Sequence, residues 1–200
     1  ITSCSPGWIK YCEHYFPDMI DNLSSCKSPQ QMFGAIVKTY YAQKMGWDPK
    51  DIFMVSAIPC TAKKFEVGRP DQSAAGVPDV DVAITTREVG RMIKKAGINF
   101  RALEDAAFDD PFAIGSSAGA IFGATGGVME AALRTAYFVL EGKEHEAIKF
   151  EAVRGFEGIK EASLELGGMT VNVAVAHGMK SASVLLDQIK AGTSKYHFIE

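Results

Sequence analysis

DIFMVSAIPC, residues 51–60, is a near-continuous apolar run of about seven residues, bounded by a loop and closed by a proline and a cysteine. Such a run predicts a strand covered on both faces, as in a parallel sheet, near 52–58. The same grammar recurs downstream. VDVAITTREVGRMIKKAG, residues 80–97, predicts a strand over 80–84 that feeds a helix, with a Thr85/Glu88 capping box at its start and Gly97 at its stop. GSSAGAIFGATGGVMEAALRTAYFVLEG, residues 115–142, predicts a glycine-rich loop and a long helix ending at Gly142. FEAVRGFEGIKEASLELGGMTVNVAVAHG, residues 150–178, predicts two strands joined by a Gly167-Gly168 turn, with strands placed near 150–154 and, as the second, at 171–176.

The flanks are helical. Residues 8–22 carry apolar side chains every three or four positions and are interrupted at Pro17. In SCKSPQQMFGAIVKTYYAQKMG, residues 25–46, Ser28 is placed to cap a helix with Pro29 in its first turn, and Ile36, Val37, Tyr40 and Tyr41 form the expected buried face. SASVLLDQIKAG, residues 181–192, closes the pattern with an amphipathic helix. Strand–loop–helix alternation of this kind predicts an α/β fold with a mostly parallel sheet. Its site is expected beyond the carboxyl ends of the strands, where Cys60, Thr85 and His177 fall.

Composition narrows the function. With 200 residues and 47% hydrophobic content the chain can bury a real core in one large domain or two small ones. A formal charge of −3 without a basic stripe argues against nucleic acid as the main partner. No apolar run approaches the roughly 18–20 residues of a membrane span. The first residue is not methionine and no signal peptide is seen, so the chain is expected to be a segment of something longer or a processed domain. Its four cysteines, at 4, 12, 26 and 60, crowd into the first third and do not form a secreted disulfide framework.

Three stretches bear chemistry. In ITSCSPGW, Pro6 keeps Ser5 out of the helical region and Gly7 suits a turn, so a fixed loop presents Cys4 and Ser5. Cys4 is there either a small buried hydrophobe or a thiol placed for use. In SAIPCTAKKFE, a helical turn after Pro59 puts Cys60, Lys63 and Glu66 on one face, where helix amides and the lysine favour a thiolate; a buried cysteine followed by a surface Lys-Lys-x-Glu fits as well. GSSAGAIFGATGG has neither a P-loop ending nor a G-x-G-x-x-G, so close backbone packing is expected over nucleotide binding. His177 reads as structural, and no G-x-S-x-G supports a serine hydrolase.

TSCSPGW at 2–8, PCTAKKFE at 59–66, FGATGGVMEAALR at 122–134 and the closing YHFIE together resemble the catalytic domain of the iron-only hydrogenase large subunits. The resemblance runs through essentially all of the chain. It implies two lobes of parallel four-stranded sheet flanked by helices, with residues 1–110 as the first lobe and 111–200 as the second. It implies an H-cluster, a 4Fe-4S cubane joined to a di-iron unit, in the cleft between them. Soft thiolates are what such clusters require.

By the same resemblance Cys60 is a cubane ligand and Cys4 the proton-transfer thiol, while Ser5 stands where the family has its second paired cysteine, a ligand. Ser24 matches the proton-relay serine, and Gln30, Lys63 and Phe122 match residues lining the di-iron pocket. The family's third motif, which carries two further ligand cysteines and normally follows a sequence like KYHFIE, is not present. The chain alone is therefore expected to bind no cluster and to be inactive, with an open cleft lined by Cys4, Cys60, Lys63 and Phe122. The parent would be an iron hydrogenase interconverting protons, electrons and H2, served by ferredoxin or NAD(P)-linked electron-transfer subunits or domains. It would be cytoplasmic, with the periplasm as alternative. A non-catalytic iron–sulfur assembly or hydrogen-sensing relative is the second reading, and Ser5 is the feature that favours it.

Overall fold

The computed structural model describes residues 1–109, 112, 118–145, 148–155 and 157–200. The expected lobe boundary at 110/111 and the opening of the glycine-rich stretch at 115–117 lie outside them. The chain divides into two compact units. One comprises Ser3–Ile20 and Ser24–Ala113; the other comprises Ile1–Thr2, Asp21–Leu23 and Ile114–Glu200.

The unit that begins at Ser3 opens with helix α1, Pro6–Tyr15, whose N-cap is Ser5 and whose first residue is a proline with φ already suited to a helix. A 3-10 turn over Pro17–Asn22 follows the predicted interruption. Helix α2, Pro29–Ile36, continues through a π-helical turn at Val37–Tyr41 into the short α3, Ala42–Met45. The buried positions on this run are Gln31, Gly34, Val37, Lys38 and Ala42. Ile36 and Tyr40, expected inside, are exposed: the inward face starts at Gln31 and Gly34 and runs on at helical spacing to Val37 and Lys38, which leaves Ile36 and Tyr40 off it.

Strand β1, Val55–Ala57, pairs in parallel with β2, Val82–Ile84, in the register Val55–Val82 to Ala57–Ile84. The strand predicted at 52–58 is thus present but shorter, and it is not covered on both faces. Phe53 is 71% and Val55 49% exposed, because the described residues supply only a two-stranded sheet here. After Cys60 comes α4, Ala62–Val67, and after β2 comes α5, Thr86–Lys95, opened by the predicted reciprocal Thr85/Glu88 capping box.

The second unit holds α6, Ala118–Ile121, and α7, Gly127–Glu141, which ends as expected at a left-handed Gly142. Its sheet has the order β3–β4–β5–β6, from Glu151–Ala152, Ile159–Leu166, Met169–Ala176 and Phe198–Ile199. The first three strands are antiparallel neighbours, and only β6 runs parallel to β5. Helix α8, Met179–Lys190, packs its Leu185 with Ile159, Ala174 and Ile199 on one side of the sheet. On another, α7 contributes Met129 and Leu133 to a cluster with Leu164, Val173 and Val175.

The α/β class stands, with a parallel pairing in each sheet. The four-stranded parallel sheets expected in the two lobes are not found among the described residues, where one sheet has two strands and the other is built on a hairpin. The physical reason is the Gly167-Gly168 turn, with φ +58° and +79°, which two residues can close only between antiparallel strands. Among the described residues no helix is long and apolar enough to cross a membrane.

Candidate functional site

Lys63 is the centre of the candidate site. It lies three residues after Cys60 on α4 and is buried at 8% exposure. Its Nζ donates to the carbonyl oxygen of Cys4 at 2.8 Å. It also meets both carboxylate oxygens of Glu66, at 3.1 and 3.2 Å. The loop that presents Cys4 and the helix that follows Cys60 are therefore tied together by one ammonium. The one-face arrangement of Lys63 and Glu66 predicted from spacing is what α4 produces, and it turns inward, not to the surface.

Glu66 is 4% exposed and would be costly to bury unaided. Two further groups satisfy it. The Ser28 hydroxyl donates to its Oε2 at 2.7 Å and the Gln30 amide nitrogen at 2.6 Å. The Gln30 carbonyl oxygen in turn accepts from the Ser56 hydroxyl at 2.7 Å. Ser28 is thus no side-chain cap of α2, as its position suggested; its hydroxyl is drawn to a carboxylate 38 residues away. Ser28 and Ser56 carry no local signal of this role, since the contact exists only once α2, β1 and α4 have assembled.

Ser5 and Ser24 have defined partners. The Ser5 oxygen accepts from the Trp8 amide at 3.5 Å and caps α1. Ser24 accepts from the Cys26 amide through its hydroxyl oxygen at 3.1 Å, and its carbonyl oxygen accepts from the Ser3 hydroxyl at 2.6 Å. The Ser24 segment is therefore pinned to the residue next to Cys4. Phe122 belongs to the other unit, in the turn between α6 and α7, and is 39% exposed. His177, read as structural, places Nδ1 3.2 Å from the Thr125 hydroxyl.

Cys12 is fully buried, and burial, with the neighbouring Glu13 charge, pushes its thiol up to about 11, so it stays a packed protonated side chain. Cys4 and Cys60 are half-buried. Among the described residues no group of three or more His, Cys, Asp or Glu side chains is arranged to hold a metal ion. Cys4 and Cys60, one on each of the two segments that Lys63 joins, are half-buried thiols, and a thiol is the soft donor type that an iron–sulfur cluster requires. The two do not complete a four-ligand set.

The family model described as iron only hydrogenase large subunit, C-terminal domain, matches residues 1–200. The periplasmic iron hydrogenase large subunit of Nitratidesulfovibrio vulgaris is 51% identical over 199 residues, which are all of this chain and 47% of that protein. The NADP-reducing hydrogenase subunit HndD of Solidesulfovibrio fructosivorans is 49% identical over all of this chain and 34% of its own length. A cytosolic Fe-S cluster assembly factor of Xenopus tropicalis is 32% identical, again over all of this chain and 43% of that protein. The solved FeFe-hydrogenase HydA1 from Chlamydomonas reinhardtii superposes with a TM-score of 0.81 at 39% identity, covering 100% of this chain and 57% of that one. The chain spans about half or less of the length of the curated relatives it matches.

Proposed function

We propose, from the premise that the chain belongs to the iron-only hydrogenase large-subunit family, that it is part of the catalytic domain of an enzyme interconverting protons, electrons and H2. The observation that carries this reading is Lys63: a buried ammonium that joins the Cys4 loop to the helix following Cys60. The H-cluster, when bound in the complete protein, supplies the redox chemistry, and the protein supplies orientation and electrostatics. Cys60 is proposed as its cubane ligand from this chain. Ser5 is the weaker second ligand, since its oxygen already serves the Trp8 amide. Cys4 holds the proton that is transferred, and Ser24, tethered through Ser3, passes it along.

Lys63 and Gln30 steady the ligands of the pocket by N–H donation, with Glu66 and Ser56 fixing their orientation. Phe122 is carried over from the family resemblance alone as a further cofactor-binding residue. Residues 1–200 alone hold too few thiols to bind the cluster and are inactive in this reading. H2 and protons are the substrates. Ferredoxin or NAD(P)-linked subunits bring the electrons, which the NADP-reducing relative supports. The compartment is the cytoplasm, with the periplasm as the alternative that another relative's name supports.

A second reading, an iron–sulfur assembly or hydrogen-sensing protein, draws on Ser5 and on the 32% identical assembly factor. The two separate on hydrogen evolution by the full-length, anaerobically matured protein under a strong reductant. Evolution of H2 supports the enzyme; a cluster-loaded protein that makes none moves the second reading forward.

A further inference from the structure

We infer that Glu200 is the remote cap of α7 and the positioning residue of the glycine-rich turn ahead of it. The start of α7 has no side-chain cap of its own. Its N-cap is Gly126, at φ +89°, which has no side chain to offer. The adjacent Thr125 hydroxyl is engaged with His177. Glu130, the acid of the first turn, faces Arg134, 3.7 Å away. Nor is there room for a larger residue one position on, since a Cβ on Gly127 would lie 1.7 Å from the Ile121 carbonyl oxygen. Of the amides at this helix start, that of Gly127 is bonded locally, to the Ala124 carbonyl at 2.9 Å, and no neighbouring side chain caps the others.

Glu200 fills that gap. Its Oε1 accepts from the Gly126 amide at 3.0 Å and its Oε2 from the Met129 amide at 2.5 Å, across more than 70 residues of sequence. A carboxylate on two amides at a helix start has the sign the helix dipole favours. The residue is itself held at both backbone groups: its N–H donates to Ala174 at 2.9 Å and its carbonyl accepts from Ala176 at 2.7 Å. The preceding Ile199 carbonyl accepts the Thr2 amide at 2.9 Å, so the chain start is fastened to the same point. Met129, which donates to the carboxylate, is fully buried against Val173 and Val175. Cap, sheet and core therefore close at one residue.

Two consequences rest on the function proposed above. The Phe122 turn is held in place by Glu200 through α7. And if the cluster cysteines follow KYHFIE directly, Glu200 sets the point from which they depart.

The test is hydrogen–deuterium exchange on the full-length chain carrying Glu200→Ala or Glu200→Gln, comparing amides 126–129 with those of the β4–β5 hairpin. Exchange at Gly126 and Met129 is expected to speed up about tenfold in E200A and less in E200Q, which keeps one acceptor oxygen, with the hairpin unchanged. Unchanged exchange at 126–129, or an equal acceleration in turn and hairpin, overturns the assignment. Should E200A fail to fold, E200Q alone carries the same two outcomes. The readout needs neither cluster nor hydrogen evolution, so it stands or falls separately from the proposed function.

Discussion

The Lys63 ammonium donates to the Cys4 carbonyl and is shared between the two oxygens of Glu66. The charge that the hydrogenase reading needs beside an anionic ligand is thus balanced and aimed by Glu66. Replacing Glu66 with Gln leaves that ammonium buried without its counter-charge, and a loss of about 3 kcal/mol is expected in urea denaturation. A variant as stable as the parent contradicts the central place given to this pair. Ser56→Ala removes only a neutral hydrogen bond to Gln30 and is expected to cost about 1 kcal/mol by the same measurement. Ser5→Cys converts a capping hydroxyl into a thiol, and in the full-length matured protein it is expected to raise iron content per chain. Equal iron in the two proteins means that position 5 is not a ligand position.

At the scale of elements, local chemistry was legible where the residues that decide it are close in sequence. The Thr85/Glu88 box and the Gly142 stop are of this kind. Glu88 also has a measurable consequence: hydrogen bonds from Lys64, then from the Thr85 amide and hydroxyl, hold its carboxyl down at about 2. A depressed pKa means a contribution fully present above the ordinary carboxylate range and lost as pH falls towards 2. Fraying of α5 is therefore expected between about pH 4.5 and 2, read by amide exchange, and Glu88→Gln is expected to abolish that pH dependence. The buried face of the α2 run departs from the apolar positions because polar Gln31 and Lys38 lie inside it, which apolar spacing does not signal. The two-residue β6 is too short to signal itself, and only its partner β5 defines it. Gly34 belongs to this scale as well: a Cβ there would lie 2.3 Å from the Asp79 carbonyl oxygen, so Gly34→Ala is expected to cost about 3 kcal/mol in denaturation.

For the whole molecule, the family was legible because four short motifs occur together in order along 200 residues. The match over residues 1–200 and the TM-score of 0.81 bear that out. What the motifs could not convey is the network behind them. Ser28, Gln30, Ser56 and Glu66 come from three segments, and no spacing rule relates them. Nor could they convey the hairpin in the second sheet, although the Gly-Gly turn announces it locally; alternation elsewhere in the chain pointed to parallel strands. Catalysis is decided by hydrogen evolution from the full-length protein, matured anaerobically and driven by a strong reductant. H2 is expected from the parent, with a loss of about 100-fold or more in Cys4→Ser while the cluster stays spectroscopically intact. A cluster-loaded parent that evolves no H2, or a Cys4→Ser variant as fast as the parent, contradicts the enzyme reading.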